Sequence, residues 1–186
     1  MDFIALDFEI ANPNHASVCA AGWATVRGGT VVESGSWLCR PPTGHDDFAY
    51  YNVRVHGITA DRVAGEPTFA ERAPDLLARL SGGLPILAHN AAFDVSVLRQ
   101  SLATCGLSRP RVAHHCTMKW SKNLLQLPKY RLPAVCSYLG IEIENHHDAG
   151  SDALSAARVA LRLAERFGVT TVEELDTAAN VIGFRH

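Results

Sequence analysis

The chain has 186 residues, 47% hydrophobic and 19% charged, with a formal net charge of −2, which excludes a disordered chain and predicts one globular domain needing no disulfide or structural metal to fold. Five scattered cysteines (Cys19, Cys39, Cys105, Cys116, Cys136) form no C-x-x-C pair, arguing against a zinc ribbon and for reduced thiols in a cytoplasmic setting. No apolar run approaches the ~20 residues of a membrane span, and "MDFIALDFEI" opens as a strand, not as a signal peptide.

In chain order, "FIALDFEI" (3–10) is β-branched, aromatic and alternating, the pattern of a strand. Side chains i and i+2 leave a strand by one face, so Asp7 and Glu9 point together while Ile4, Leu6, Phe8 and Ile10 point oppositely. Two acids on so apolar a strand repel each other and resist burial unless a cation lies between them. Residues 17–41 read as a hairpin turning at Gly28-Gly29. A helix is predicted over 68–80, then a strand in "LPILAHN" (84–90). "AFDVSVLRQSLATCG" opens a helix with Asp94 at its start, Val97, Leu98 and Leu102 on one face, and Gly106 near its C-terminal end.

Residues 111–117 suit a short strand, and "RLPAVCSYLG" suits a short helix ending at Gly140. Between them, residues 119–131 carry Lys119, Lys122, Lys129 and Arg131 with no acid. A solvated helix and turn accounts for that composition; beside an acidic site it would also suit a polyanion. The stretch "NHHDAGSDALSAARVALRLAERFG" (145–168) makes the long last helix, with Asp148 as N-cap and Gly168 as its end. Ala153, Ala156, Ala157, Ala160, Leu161 and Ala164 give it a stripe of mostly small residues for close packing on a sheet. Thr171 and Glu174 form a capping box for one more short helix. A hairpin followed by alternating strands and helices makes an α/β fold, a mixed central sheet flanked by helices.

Asp94 and Asp152 each have an ordinary explanation as acids at a helix start. Together with Asp7 and Glu9 they are four hard oxygen donors, the set that two Mg²⁺ or Mn²⁺ ions require. Two such ions about 4 Å apart hold both the attacking and leaving oxygens in phosphoryl displacement. His147 lies just before the helix carrying Asp152, where a neutral imidazole could take a proton from an attacking water.

The three elements "ALDFEIAN", "AHNAAFD" and "HDAGSD" resemble, in order and context, the motifs of the DEDDh 3′-to-5′ exonucleases, which include the proofreading subunit of bacterial replicative polymerase and stand-alone nucleases. The resemblance covers roughly residues 3–167 and implies a ribonuclease H-like fold. It implies Asp7, Glu9, Asp94 and Asp152 as metal ligands and His147, not His146, as general base. It further implies release of nucleoside 5′-monophosphates from single-stranded 3′ ends, with a DNA polymerase as candidate partner. The same residues serve DNA and RNA in the family, so DNA is the expected substrate and an RNA-directed exoribonuclease with the same chemistry is the alternative. The loop "VHGIT" (55–59) matches a segment near the substrate in such enzymes and singles out His56; Phe8, Ile10, Ile58 and Phe93 are the further candidates for gripping the terminal nucleotide. Two positions depart from the family pattern: Ile10 replaces a frequent threonine, and Cys116-Thr117 replaces a D-T pair.

Residues 1–168 are thus expected to form an exonuclease domain and 169–186 a short helical extension. With no long tail after Gly168, a stand-alone nuclease or a trimmed chain is expected. Two alternatives come from other classes: a non-catalytic exonuclease-fold module that binds a polymerase or nucleic acid, and a zinc hydrolase built on His114, His115, His146 and His147. The second lacks H-x-x-x-H or H-E-x-x-H spacing.

Overall fold

A computed structural model describes residues 1–183. Its strands are β1 (Phe3–Ile10), β2 (Val18–Arg27), β3 (Thr30–Leu38), β4 (Ile86–Ala88) and β5 (His114–Cys116). Its helices are α1 (Tyr50–His56), α2 (Ala60–Val63), α3 (Phe69–Leu80), α4 (Ala91–Thr104), α5 (Thr117–Leu124), α6 (Leu132–Leu139), α7 (Ala149–Phe167) and α8 (Val172–Gly183). The strands form one mixed sheet in the order β3-β2-β1-β4-β5. β1 pairs antiparallel with β2 and parallel with β4, so the strand carrying the paired acids lies at the centre of the sheet.

That position explains why β1 is apolar on both faces. Ile4, Leu6, Phe8 and Ile10 pack with Trp23, Trp37, Phe69, Leu76 and Val97, on the side of α3 and α4. Phe3 and Ala5 turn the other way, with Ala24 and Val26, onto Ala157, Ala160 and Leu163 of α7. The small residues predicted as a stripe on α7 are buried there, and Leu161 at the stripe's margin is half-buried. Asp148 caps α7 as expected, its carboxylate accepting from the Ser151 N–H at 3.0 Å, and Gly168 ends it in the left-handed region with φ 66°.

The hairpin turn lies at Gly28-Gly29 as predicted, and the Thr171–Glu174 capping box is present. α8 places Val172, Leu175 and Ala179 in the same core as α7, and its Asp176 accepts a hydrogen bond from the Trp120 indole N–H at 2.7 Å. The segment "VHGIT" is not simply a loop. Val55 and His56 close α1, Gly57 reverses the chain at φ 71°, and Thr59 caps α2 by accepting from the Arg62 N–H at 3.2 Å. Among the described residues, no helix is long and apolar enough to cross a membrane.

Candidate active site

The pleat of β1 sends Asp7 and Glu9 to the α7 side of the sheet, and their neighbours on β2 are small. Asp7 pairs with Gly22 and Glu9 with Ala20, and directly opposed residues share a face. A Cβ on Gly22 would lie 2.0 Å from the Ala149 carbonyl oxygen and 2.4 Å from the Gly150 nitrogen. The backbone of α7's first turn therefore rests directly on Gly22. That contact lowers Asp152 towards β1, so that one carboxylate oxygen from each of Asp7, Glu9 and Asp152 lies within 4.8 Å of the others.

Asp94, in the first turn of α4, is buried, and its Oδ1 has no hydrogen-bond partner. Burial, then the charges of Asp94, Glu9 and Asp152, hold the Asp7 carboxyl well above the usual carboxylate range. Burial and the Asp152 charge push Glu9 up to about 8. Burial also pushes Asp94 up to about 8, against the pull of the backbone N–H groups of Asp94 and Phe8. The structure thus brings the four predicted acids within electrostatic reach of one another, in a cluster short of positive charge. A divalent cation would relieve the repulsion and give Asp94 Oδ1 a partner, so these donors fit Mg²⁺ or Mn²⁺.

Both histidines of the doublet stand at Asp152. His147 adopts φ 68°, a left-handed conformation uncommon outside glycine, and its backbone N–H donates to Asp152 Oδ2 at 3.0 Å. His146 Nδ1 lies 3.1 Å from each oxygen of the same carboxylate. The two rings stack with centroids 3.7 Å apart. Burial and the neighbouring His146 hold the His147 imidazole below its ordinary pKa, against the pull of Asp152, which favours the neutral ring a proton acceptor needs.

The residues expected to contact the nucleotide lie in different surroundings. The Phe8 and Ile10 side chains lie in the core on the α3–α4 side, because they alternate with the acids; neither can grip a base from the acidic face. His56 lines a cavity with Ile58 and His147, but both of its nitrogens are engaged. The Ile58 N–H donates to Nδ1 at 3.0 Å, so Nε2 carries the proton and donates to the Ile10 carbonyl at 3.1 Å. Burial lowers its pKa, and the ring serves as a neutral brace between α1 and the end of β1. Ile58 is buried against Ala11, Cys19 and Ala149. Phe93 is half-buried, edge-on to His15 at 5.1 Å between ring centroids.

Sequence reasoning missed Gly22 and His89. His89 lies within the quoted "AHNAAFD", yet only Asp94 and Phe93 were given roles from it. Its Nε2–H donates to the Tyr130 carbonyl at 2.8 Å, leaving Nδ1 to accept from the Thr117 hydroxyl at 2.9 Å. The ring ties the end of β4 to α5 and to the basic segment. Gly22 had no local signal, because its role depends on a helix 127 residues further along the chain.

The exonuclease family model matches residues 4–160. The chain is 28% identical over 190 residues to the PolC-type DNA polymerase III of Thermotoga maritima, covering 98% of this chain and 13% of that protein. It is 27% identical to the DNA polymerase III subunit epsilon of Haemophilus influenzae, over 86% of this chain and 66% of the other. The chain thus spans about an eighth of the length of the PolC-type relative. Among solved structures, exonuclease X in complex with 5′ overhanging duplex DNA superposes with a TM-score of 0.75 at 23% identity, covering 95% of this chain and 99% of that one. The nuclease domain of 3′hExo, a DEDDh family member bound to rAMP, gives 0.74 at 17% identity, covering 89% and 92%. These likenesses bear out the ribonuclease H-like fold and the resemblance read from the motifs: the chain belongs to the exonuclease family.

Proposed function

We propose that this chain is a 3′-to-5′ exonuclease that hydrolyses single-stranded nucleic acid, DNA in preference to RNA, to nucleoside 5′-monophosphates. The observation that carries the reading is the meeting of Asp7, Glu9 and Asp152 oxygens within 4.8 Å, beside a buried Asp94 with an unpartnered oxygen. Asp7, Glu9, Asp94 and Asp152 would hold two Mg²⁺ or Mn²⁺ ions, which supply charge stabilisation to the phosphate as it is displaced. Asp7 and Glu9 are fixed by a central strand and Asp152 by the contact of α7 with Gly22, so the carboxylates are held before substrate arrives. His147 takes the proton of the attacking water, its ring kept neutral by its surroundings. Phe93 and Ile58, with backbone of β1, border the place of the terminal nucleotide.

The preference for DNA rests on the names of the relatives, which are DNA polymerase III proteins; a DNA polymerase partner and a cytoplasmic location are proposed on the same ground. The test is degradation of 5′-labelled single-stranded DNA and RNA of one sequence in Mg²⁺ or Mn²⁺, with Asp7→Ala alongside. A ladder shortening from the 3′ end, faster on DNA and absent in the variant, is the expected result. Intact substrate with folded wild-type protein would refute the reading in favour of a binding module.

A further inference from the structure

We propose that Lys119 and Lys122 of α5, continued by Lys129 and Arg131, form a rail that holds the phosphates of a single strand on the 5′ side of the bond to be cleaved. This path for the strand rests on the proposed function. Residues 119–131 contain these cations and no acid, and all of the cations are exposed. Among the described residues none of them forms an ion pair, whereas Arg72, Arg79 and Arg162 each hold a carboxylate. Lys119 and Lys122 stand three residues apart on one helix, so they share a face. Both line a cavity of about 490 Å³, together with Asn90, His114 and Asn123. The carboxylate in that lining, Asp176, is already engaged, accepting from the Trp120 indole N–H at 2.7 Å with His115 Nδ1 at 3.2 Å.

His89 sets the rail beside the carboxylates. It stands between β4 and α4, the helix that carries Asp94. Its ring holds the Thr117 hydroxyl at 2.9 Å, where α5 starts, and the Tyr130 carbonyl at 2.8 Å, between Lys129 and Arg131. Burial lowers the pKa of this imidazole and the bond to Tyr130 opposes it; behind these, Asp152 pulls it up and Lys122 pulls it down. One ring therefore lies within electrostatic reach of both Asp152 and the rail. The place proposed for the terminal nucleotide is on the other side of the site: Ile58 packs with Ala11, Cys19 and Ala149, beyond the ends of β1 and β2. The rail's helix follows β5, the edge strand at the far side of β4 from β1. A strand whose 3′ end lies at Ile58 can thus reach the rail only with its upstream phosphates. Trp120 is buried and the Tyr130 hydroxyl donates to the Leu125 carbonyl at 2.9 Å, so the segment offers charge and no stacking platform. Contacts of that kind position a strand without reading its bases.

The probe is a 5′-fluorescein oligothymidylate of about 12 nucleotides, within the span of ordinary single-strand sites. Its binding is followed by anisotropy from about 50 to 200 mM salt, with Ca²⁺ in place of Mg²⁺ so that the strand is bound and not cut. Each lysine that meets a phosphate of a single strand contributes about 0.7 to the slope of log affinity against log salt. Lys119→Ala with Lys122→Ala should therefore flatten the slope by about 1.4, so that this rise in salt costs the variant about sevenfold less affinity than wild type. Lys119→Arg with Lys122→Arg should restore the slope. Arg27→Ala with Arg162→Ala removes the same charge around the hairpin turn, at the other end of the sheet, and should leave the slope unchanged. A slope unmoved by the lysine-to-alanine pair, or moved as much by the arginine pair, would overturn the rail, as would a wild-type chain that binds no oligonucleotide. In Mg²⁺-supported degradation the lysine-to-alanine pair should raise KM and keep kcat; a lowered kcat with KM unmoved would also overturn it. Lysine-dependent binding in a chain that degrades nothing would sustain the rail and refute the nuclease reading, whereas degradation with an unmoved slope refutes the rail alone.

Discussion

Replacing Gly22 by alanine adds one methyl group at the point where α7 rests on the sheet. The added Cβ would stand 2.0 Å from Ala149 O, 2.1 Å from Ala149 C and 2.4 Å from Gly150 N, against the 3.4 Å at which ordinary contact begins. Either β2 or the first turn of α7 must therefore retreat by about 1.4 Å. The obstacle is backbone on both sides, so no rotamer change relieves it. Overpacking of this kind costs about 1–3 kcal/mol, or a fall in Tm of roughly 2–12 °C at this chain length. The retreat moves Asp152, His146 and His147 away from Asp7 and Glu9, and a misplacement of about 1 Å costs on the order of 100-fold in rate. The activity loss should thus exceed what partial unfolding explains. The assay is the initial rate of shortening of a labelled strand at saturating Mn²⁺, measured well below Tm, together with the thermal melt. Gly65→Ala is the control, because a Cβ there meets nothing within 4 Å. A Gly22→Ala protein with wild-type rate and melt would refute the claim that this contact positions the acids.

The carboxylates predict how the metal-free protein responds to pH. Glu9 and Asp94 hold their protons up to about 8 in the folded state, above their unfolded values near 4.5 and 3.8. The folded state therefore binds more protons across that window, and stability falls as pH rises from about 4 to 8. Chelated protein should melt at lower temperature at pH 8 than at pH 5.5, and Mn²⁺ should raise Tm most at the higher pH; a melt that climbs with pH in chelator would contradict the clustering. His147→Gln should lower kcat by about 10²–10⁴-fold with KM and calorimetric Mn²⁺ affinity retained. Loss of metal binding with kcat unchanged at saturating metal would instead assign His147 a ligand's role.

Much of this molecule was legible where local signals and tertiary demands coincide. β1 reads as a strand because one face is core throughout and the other passes from core at Phe3 and Ala5 to the acids at Asp7 and Glu9. α7 announces both its ends, through the Asp148 cap and the left-handed Gly168. All four acids belong to motifs quoted from the sequence. α1 was invisible for a physical reason: it begins at Ala49 without a side-chain cap and buries only His56, so neither start signal nor amphipathic stripe marks it. Phe8 and Ile10 are neighbours of the acids along β1, but the pleat sends their side chains through the sheet into the core. The doublet His146-His147 shows the limit of counting residues: spacing selected one histidine, but a left-handed turn brings both to Asp152. Gly22 was beyond reach, since a glycine's importance lies in what approaches it.

The four acids are made far apart along the chain. Asp94 is made 87 residues after Asp7, and Asp152 only 145 residues after Asp7. Chains fold from the N-terminus during synthesis, yet the seat formed by Gly22 stays empty until α7 has been made. Until then the chain holds Asp7, Glu9 and Asp94 without the helix that carries Asp152 to them. The long-range contact between β2 and α7 ties completion of the carboxylate cluster to the last long helix of the fold.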